Sequence, residues 1–583
     1  MLAPEVLASL RAGNLLRGSG TGLDDQVESY HDRVREIVSG GLESERLTSI
    51  HASLAETFEL HNEGGPERLA RHYFQSGQHE LAGRNFEAAA DHAVNALAFD
   101  RAEEFYRRSI SLATSVEDRA LRQEKIIHFY TNAARFDDAY RVGREALRPL
   151  GVSLPTKFHG PPFLIDLMRA RIRLGRRAIP SLIDLPTAND QKHTLAIRLL
   201  SAVGKAAYQI RPELCIAVLV KSVNACLAKG NTQDAAVGFM AFGAIFIGGI
   251  MGRYRDGHDF GRLSLDLVDT YDDDVHRAEV NFVVGYFGTS WLNPSRKAEE
   301  LFERAFAAGQ ESGDLFHTGC ACAAGMMSRF MRGVPLDELE DEVGKHVEFL
   351  GRLRLRETLG CVRSVGQAIG NLRGQTASKA SLSDADFNEV DFIAELRNYG
   401  SRHFAHYHHI NRMICATHWS EIEAGLAAAE ASSEYMKDSK GMLHSAEHLF
   451  YHALIIAAAH REGRGRGRKD LVEVKSTWRR FNNWARLCEE NFGARASLLG
   501  AELARLQRRP HHALSLFAEA VNLAQQYSQP QIAALAHRSA AQVLRMKGER
   551  ALAEAERREA ARCYRQWGSE ALAELWGAEA DRQ

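Results

Sequence analysis

The sequence predicts an all-α fold, a solenoid of stacked helical hairpins, on three observations. First, a turn leading to an alanine recurs near the start: Gln78-His79-Glu80-Leu81-Ala82, Ala98-Phe99-Asp100-Arg101-Ala102 and Arg135-Phe136-Asp137-Asp138-Ala139. Four residues after each alanine comes an aromatic residue or a glycine (Phe86, Tyr106, Gly143), and seven after it a small residue (Ala89, Ser109, Ala146). Those offsets mark one face of an α-helix, and small side chains there let a second helix approach closely. Second, 583 residues are too many for one core, a limit that a solenoid escapes because each repeat touches only its neighbours. Third, Leu, Ala, Arg and Glu dominate, 45% of residues are hydrophobic and proline is held to 13, which suits long helices.

Residues 1–60 differ in pattern from the remainder of the chain. Leu15-Leu16-Arg17, the glycine-rich Gly18-Ser19-Gly20-Thr21-Gly22 and Gln26-Val27-Glu28 predict a short β-hairpin. A helix comes after it from about His31, with Val34, Ile37 and Val38 on one face, and another from about Ser44, with Leu47, Ile50, Leu54 and Phe58 in register. Helices combined with such a hairpin fit the tail of a winged-helix fold. Residues 61–150 hold the three repeats. Residues 151–190 break the pattern with Pro155, Pro161, Pro162, Pro180 and Pro186 around a basic helix from Arg169 to Arg177, and predict a crossover between two stacks. Repeats resume over 191–373 and 389–583, as at Ala298, Phe302 and Ala305, at Ile422, Leu426 and Ala429, and at Ala513, Phe517 and Ala520. Loops are expected at 374–388 and at Gly463-Arg464-Gly465-Arg466-Gly467-Arg468, with helices to the end and no second compact domain.

Composition narrows the function classes. The 73 basic and 75 acidic residues nearly cancel, so the net field favours neither nucleic acid nor an anionic membrane. Ala235 to Met251 is uncharged but shorter than the about 20 residues a bilayer span needs, and its glycines predict a closely packed buried helix. No C-x-x-C pair occurs among Cys215, Cys226, Cys320, Cys322, Cys361, Cys415, Cys488 and Cys563, which are expected to be buried thiols in a reducing cytoplasm. The N-terminus carries no basic flank and apolar core of a secretion signal.

Candidate sites are few. His403, His406, His408 and His409 include i, i+3 pairs, but no carboxylate or cysteine stands beside them at ligand spacing, so ordinary helix-face histidines are expected rather than a metal site. The cations from Gly463 to Lys469 are expected to form a solvated loop. The hairpin tip offers Arg17 to a phosphate but is followed by Asp24 and Asp25. No nucleophile elbow, phosphate loop, Gly-rich kinase loop, H-R-D or D-F-G is present, so no catalytic residue, cofactor or metal is expected. If the inner groove of the solenoid binds a ligand, the helical register makes His128, Phe287, Ser328, Tyr407 and Asn411 its solvent-directed lining.

Several stretches resemble one setting in large bacterial signalling proteins. Tyr30-His31-Asp32-Arg33-Val34-Arg35-Glu36 is similar to the junction between an NTPase module's winged helix and a tetratricopeptide-like region. Leu97-Ala98-Phe99-Asp100-Arg101-Ala102 with Tyr106, Leu150-Gly151-Val152-Ser153-Leu154-Pro155, and Cys563-Tyr564-Arg565-Gln566-Trp567-Gly568 continue the likeness to near the C-terminus. The family resembled is that of STAND-type (AAA-like) ATPases linked to serine/threonine protein kinases, with a layout like the maltose-regulator activators. The resemblance implies a tetratricopeptide-like superhelix that senses a protein partner or small-molecule inducer and regulates a kinase or ATPase module, in cis or in trans. The catalytic motifs themselves are absent, so that activity does not carry over. Two alternatives accompany this expectation. The chain is the C-terminal fragment of such a kinase–ATPase, or it binds nucleic acid through the arginines of 169–177 and 461–469.

Overall fold

One backbone device recurs at many of the helix junctions. A residue in the left-handed region sits two positions before the next helix begins: Leu97, Ala134, Asp272, Arg354, Ser420, Arg508 and Ser528, with φ between +48° and +65°, and likewise Gly77, Gly313 and Gly548. The following N–H returns to the carbonyl five residues back, as from Ala98 to Ala93 (2.8 Å) and from Gln529 to Ala524 (2.7 Å). This bond satisfies an orphan carbonyl at the helix end and reverses the chain. The recurrent turn before each repeat alanine is therefore one helix-stop motif used repeatedly.

The computed structural model describes residues 4–18, 27–157, 160–398, 402–437 and 439–578. In chain order the first helices are α1 (Pro4–Ala12), α2 (Asp32–Gly40), α3 (Ser44–Leu60), α4 (Gly65–Gln75), α5 (His79–Asn95), α6 (Phe99–Ser111), α7 (Val116–Asn132), α8 (Phe136–Leu147) and α9 (Gly160–Leu174). Next come α10 (Gln191–Ile210), α11 (Pro212–Lys229), α12 (Ala235–Met240), α13 (Tyr254–Thr270), α14 (Asp274–Val283), α15 (Ser295–Ser312), α16 (Leu315–Arg332), α17 (Leu336–Arg352) and α18 (Arg356–Leu372). The last are α19 (Glu389–Asn398), α20 (Arg402–Trp419), α21 (Ile422–Ser433), α22 (His444–Arg461), α23 (Arg468–Ala485), α24 (Glu489–Leu506), α25 (Pro510–Gln526), α26 (Pro530–Met546), α27 (Arg550–Trp567) and α28 (Glu570–Ala578).

The fold is all-α, a stack of helical hairpins. A hairpin of β1 (Leu16–Gly18) and β2 (Val27–Ser29) pairs antiparallel, with Arg17 opposite Glu28. Helix α1 precedes it, an element that the sequence pattern does not announce. The hairpin tip, with Asp24, Asp25 and most of the glycine-rich turn, lies outside the described residues. Within 151–190 the helix runs over Gly160–Leu174 rather than Arg169–Arg177. Pro161 and Pro162 fit a first helical turn, where no N–H is needed, and Gly175 at φ +60° closes the helix before the later arginines. The uncharged run continues α12 into a π-helix, Ala241–Ile250. A Cβ on Gly243 would come within 2.0 Å of the Phe260 Cβ, so the glycine is what allows the approach. Among the described residues no helix is long and apolar enough to cross a membrane. All eight cysteines are free and buried.

The chain separates into two compact units: residues 1–157 with 190–218, and residues 158–189 with 219–583. The boundaries between the units fall on either side of the proline-rich stretch, at 157/158 and 189/190, and again within α11, at 218/219. In the first unit α4 to α8 pack each on the next, and α10 packs on α7 and α8. The repeat alanines Ala82, Ala102 and Ala139 are fully buried. A Cβ on Gly143 would lie 2.1 Å from Val203 Cγ2, which explains why glycine replaces the aromatic residue in that repeat. Ser109 Oγ donates to the Gly83 carbonyl (2.8 Å) and Arg122 Nη1 to the Ser109 carbonyl (2.7 Å), tying α5, α6 and α7 together.

In the second unit α14, α16, α18, α20, α22, α24 and α26 pack each on the next but one and form an inner layer, with the intervening helices outside. This layer meets itself across long stretches of sequence. Arg538 donates to the carbonyls of His418 (2.8 Å) and Thr417 (2.9 Å), satisfying the end of α20. Ser569 Oγ donates to the Leu372 carbonyl (2.5 Å), and Trp291 Nε1 to that of Gly441 (3.2 Å). The inner surface of this stack is occupied by its own helices.

Candidate functional site

The five residues expected to line a groove do not share one. Phe287, Ser328, Tyr407 and Asn411 are buried in the second unit. Ser328 Oγ donates to Glu299 (3.0 Å), and Asn411 Nδ2 donates to Ser364 Oγ (2.9 Å). The helical register treats one face of each inner helix as meeting solvent. In the closed stack both faces of α16 and α20 meet other helices, so these side chains are core. His128, in the first unit, is exposed and lines a cavity of about 420 Å³.

That cavity is built by α5, α6, α7 and α10. Its floor is aromatic and acidic. Phe129 and Tyr106 are buried there with ring centroids 5.6 Å apart, and Phe99 closes one side, 6.2 Å from Phe129. Tyr106 donates its hydroxyl to Asp91 (2.5 Å), and burial together with that carboxylate pushes its ionisation far above the ordinary phenol range. Glu124 accepts from Arg198 Nε (2.7 Å) and lies 3.6 Å from His128 Nε2. Burial would raise the Glu124 carboxyl, but His128 and Arg198 beside it prevail and hold it below the usual range. Lys125 stands on the same face of α7 as His128 and lies 3.7 Å from Glu87. The arrangement offers an apolar wall, buried acceptors and a cationic rim, the composition of a small-ligand pocket. The helical spacing of 124, 125, 128, 129 and 132 could have located it, because these positions share one face of α7.

The histidine run goes to separate partners. His406 bridges Ser439 (2.7 Å) and His448 (3.3 Å), whereas His408 meets Ser364 (2.9 Å) and Glu389 (3.3 Å). His409 stacks on Tyr435 at 5.9 Å. No group of three or more His, Cys, Asp or Glu suited to a metal occurs among the described residues. Three of the cations of 461–469 are matched by acids. Arg461 pairs with Glu502, Arg464 with Glu423 (3.2 Å), and Arg466 with Asp470 (2.8 Å) and Glu473 (2.7 Å).

No family model matches the sequence, and no curated protein matches it. Among solved structures the chain is similar to a Signal Transduction ATPase with Numerous Domains (STAND) protein with a tetratricopeptide repeat sensor from Pyrococcus horikoshii. The two are 16% identical over 64% of this chain, with a TM-score of 0.29, and this chain spans 55% of that one. It is also similar to the APC/C hetero-tetramer Cut9-Hcn1 (12% identity, 94% of each chain, TM-score 0.39) and to yeast Tom70 (12% identity, 88% of this chain and 99% of that one, TM-score 0.25). At these scores the likenesses carry no argument. The class defined by the chain's own helix packing is an all-α helical-repeat protein.

Proposed function

We propose that the chain is a non-catalytic sensor and interaction protein. Its first unit takes a small amphipathic ligand, or the side chains of a protein partner, in the cavity of α5, α6, α7 and α10. The observation that carries this reading is that four helices from successive hairpins converge on one cavity with an apolar wall and a cationic rim. An apolar group of the ligand would lie on Phe99 and Phe129, and an anionic group would meet Lys125, His128 and Arg198. An occupant that prefers one spacing of these helices shifts the population of stack conformations. A winged-helix-like segment ahead of the repeats would pass that shift to an ATPase or protein kinase module, in cis or in trans. The sequence resemblance to the tetratricopeptide-like arm of bacterial STAND proteins supports this last step.

The test is a thermal-shift screen of the purified chain with aromatic carboxylates and short peptides ending in an aromatic residue. A stabilising compound is expected, and Phe99→Ala or Arg198→Ala should weaken it about tenfold, about 1.4 kcal/mol. Binding unaffected by either substitution would remove the cavity from the proposal, and robust ATP hydrolysis by the chain would remove the non-catalytic role.

A further inference from the structure

We propose that α9 is a docking rail for an acidic amphipathic helix of a partner protein. The proposal does not depend on the cavity of the first unit. One face of α9 is held by its own unit. Asp166 accepts from Lys221 Nζ (2.7 Å), the Asp166 carbonyl accepts from Asn224 Nδ2 (2.7 Å), and Arg173 Nη1 donates to the Asn224 carbonyl (2.9 Å). Ala170 is buried on that side. The opposite face is apolar and open to solvent. Leu164 is 56% exposed, Ile165 52%, Met168 62% and Ile172 73%.

The spacing of this face identifies the occupant. Ile165, Met168 and Ile172 follow one another at three and four residues, the a, d and a positions of a heptad. Arg169 and Arg171 then fall at e and g, one on each flank of the stripe. Asp166, Leu167 and Ala170 fall at b, c and f, on the side turned to the unit. Arg169 lies 3.3 Å from Asp166 and still exposes 62% of its side chain. Residues at e and g select the partner helix by charge. An antiparallel second copy of α9 would oppose arginine to arginine at e and at g, and a parallel one would set Arg169 against Leu164, so neither gives the arginines an acidic partner. A nucleic acid would meet the arginines but leave the apolar stripe in water. A lipid-binding helix often carries an aromatic anchor on its apolar face, and Leu164, Ile165, Met168 and Ile172 include none. The complement that satisfies both features is a helix with apolar a and d residues and Glu or Asp at e and g. About one and a half heptads would not hold a free helix, but α9 is already fixed by its unit and spends no ordering entropy on binding.

The experiment uses the full chain and a labelled three-heptad peptide with Leu at a and d and Glu at e and g, followed by fluorescence anisotropy. Saturable binding is expected, with the same peptide carrying Lys at e and g about tenfold or more weaker. The double variant Arg169→Glu, Arg171→Glu should reverse that preference. Met168→Asp should weaken the Glu peptide about tenfold while leaving the melting temperature unchanged, since the side chain is exposed. Three results would overturn the proposal: no saturable binding of the Glu peptide, equal affinity for it in the charge-reversed variant, or Met168-dependent binding to phosphatidylserine vesicles without peptide binding.

Discussion

At the residue scale, the interior of the second unit is polar in a few chosen places. Arg495 lies with Nε 2.9 Å from Glu447 Oε1, donates through Nη1 to Gln529 (3.1 Å) and through Nη2 to the Met331 carbonyl (2.8 Å). Both charged side chains are buried. Burial raises the Glu447 carboxyl, and Arg495 only partly offsets it. Arg495→Ala is therefore expected to cost about 3–5 kcal/mol in a urea titration, because Glu447 is left buried and unpaired, and Arg495→Met with Glu447→Leu should recover most of that loss. Histidines make the same unit acid-sensitive. Burial first, and neighbouring positive groups second, lower His409, His444 and His448 to about 3. The unfolded value is about 6.5, so above that pH they contribute nothing to the slope. As pH falls from 6.5 toward 3 the unfolded chain takes up protons that the folded one refuses, and each histidine removes up to about 1.4 kcal/mol per pH unit. The denaturation midpoint should fall between pH 7.5 and 5.5, and less steeply in a His444→Gln, His448→Gln variant. A flat profile in the parent chain would contradict this.

At the element scale, the left-handed turn residue is the recurrent strained point. Leu97 holds φ +59° while its side chain is largely exposed, so leucine contributes strain there and few contacts. A left-handed non-glycine residue costs about 1–2 kcal/mol, and glycine gives back up to about 1 kcal/mol in unfolded-chain entropy. Leu97→Gly is thus expected to stabilise the chain by about 0.5–1 kcal/mol, seen as a raised melting temperature. Gly143 presents the opposite case. Gly143→Ala should destabilise by about 1–3 kcal/mol through overpacking against Val203, and Val203→Ala should relieve part of it.

At the scale of a whole unit, closure distinguishes the second stack from an open array. In an open array stability is a sum over neighbouring repeats, and a change at one end is not felt far along the chain. Here Trp567, on α27, is buried, stacked on Phe330 at 6.3 Å and tilted against His418 at 5.0 Å. Trp567→Ala is therefore expected to speed amide hydrogen exchange in α16 and α20 as well as in α27. Exchange confined to α26, α27 and α28 would mean that the stack behaves as a one-dimensional array.

The features legible in the residues alone are local ones. Helical periodicity and the alanine faces carried the all-α class, because they rest on neighbours within a few turns, and the turn residues announced a hairpin at 15–17 and 26–28, where the strands pair one residue later, 16–18 with 27–29. Helix α1 and the early start of α9 are not legible in this way because a short helix or a proline-led first turn leaves little periodic signal. Which helix faces meet water was decided only by tertiary structure. Tyr407 and His128 have the same formal place in their hairpins, yet one is core and the other lines a cavity. The difference is made by contacts such as Arg538 to His418 and Ser569 to Leu372, which join residues more than a hundred positions apart and leave no periodic trace in the sequence.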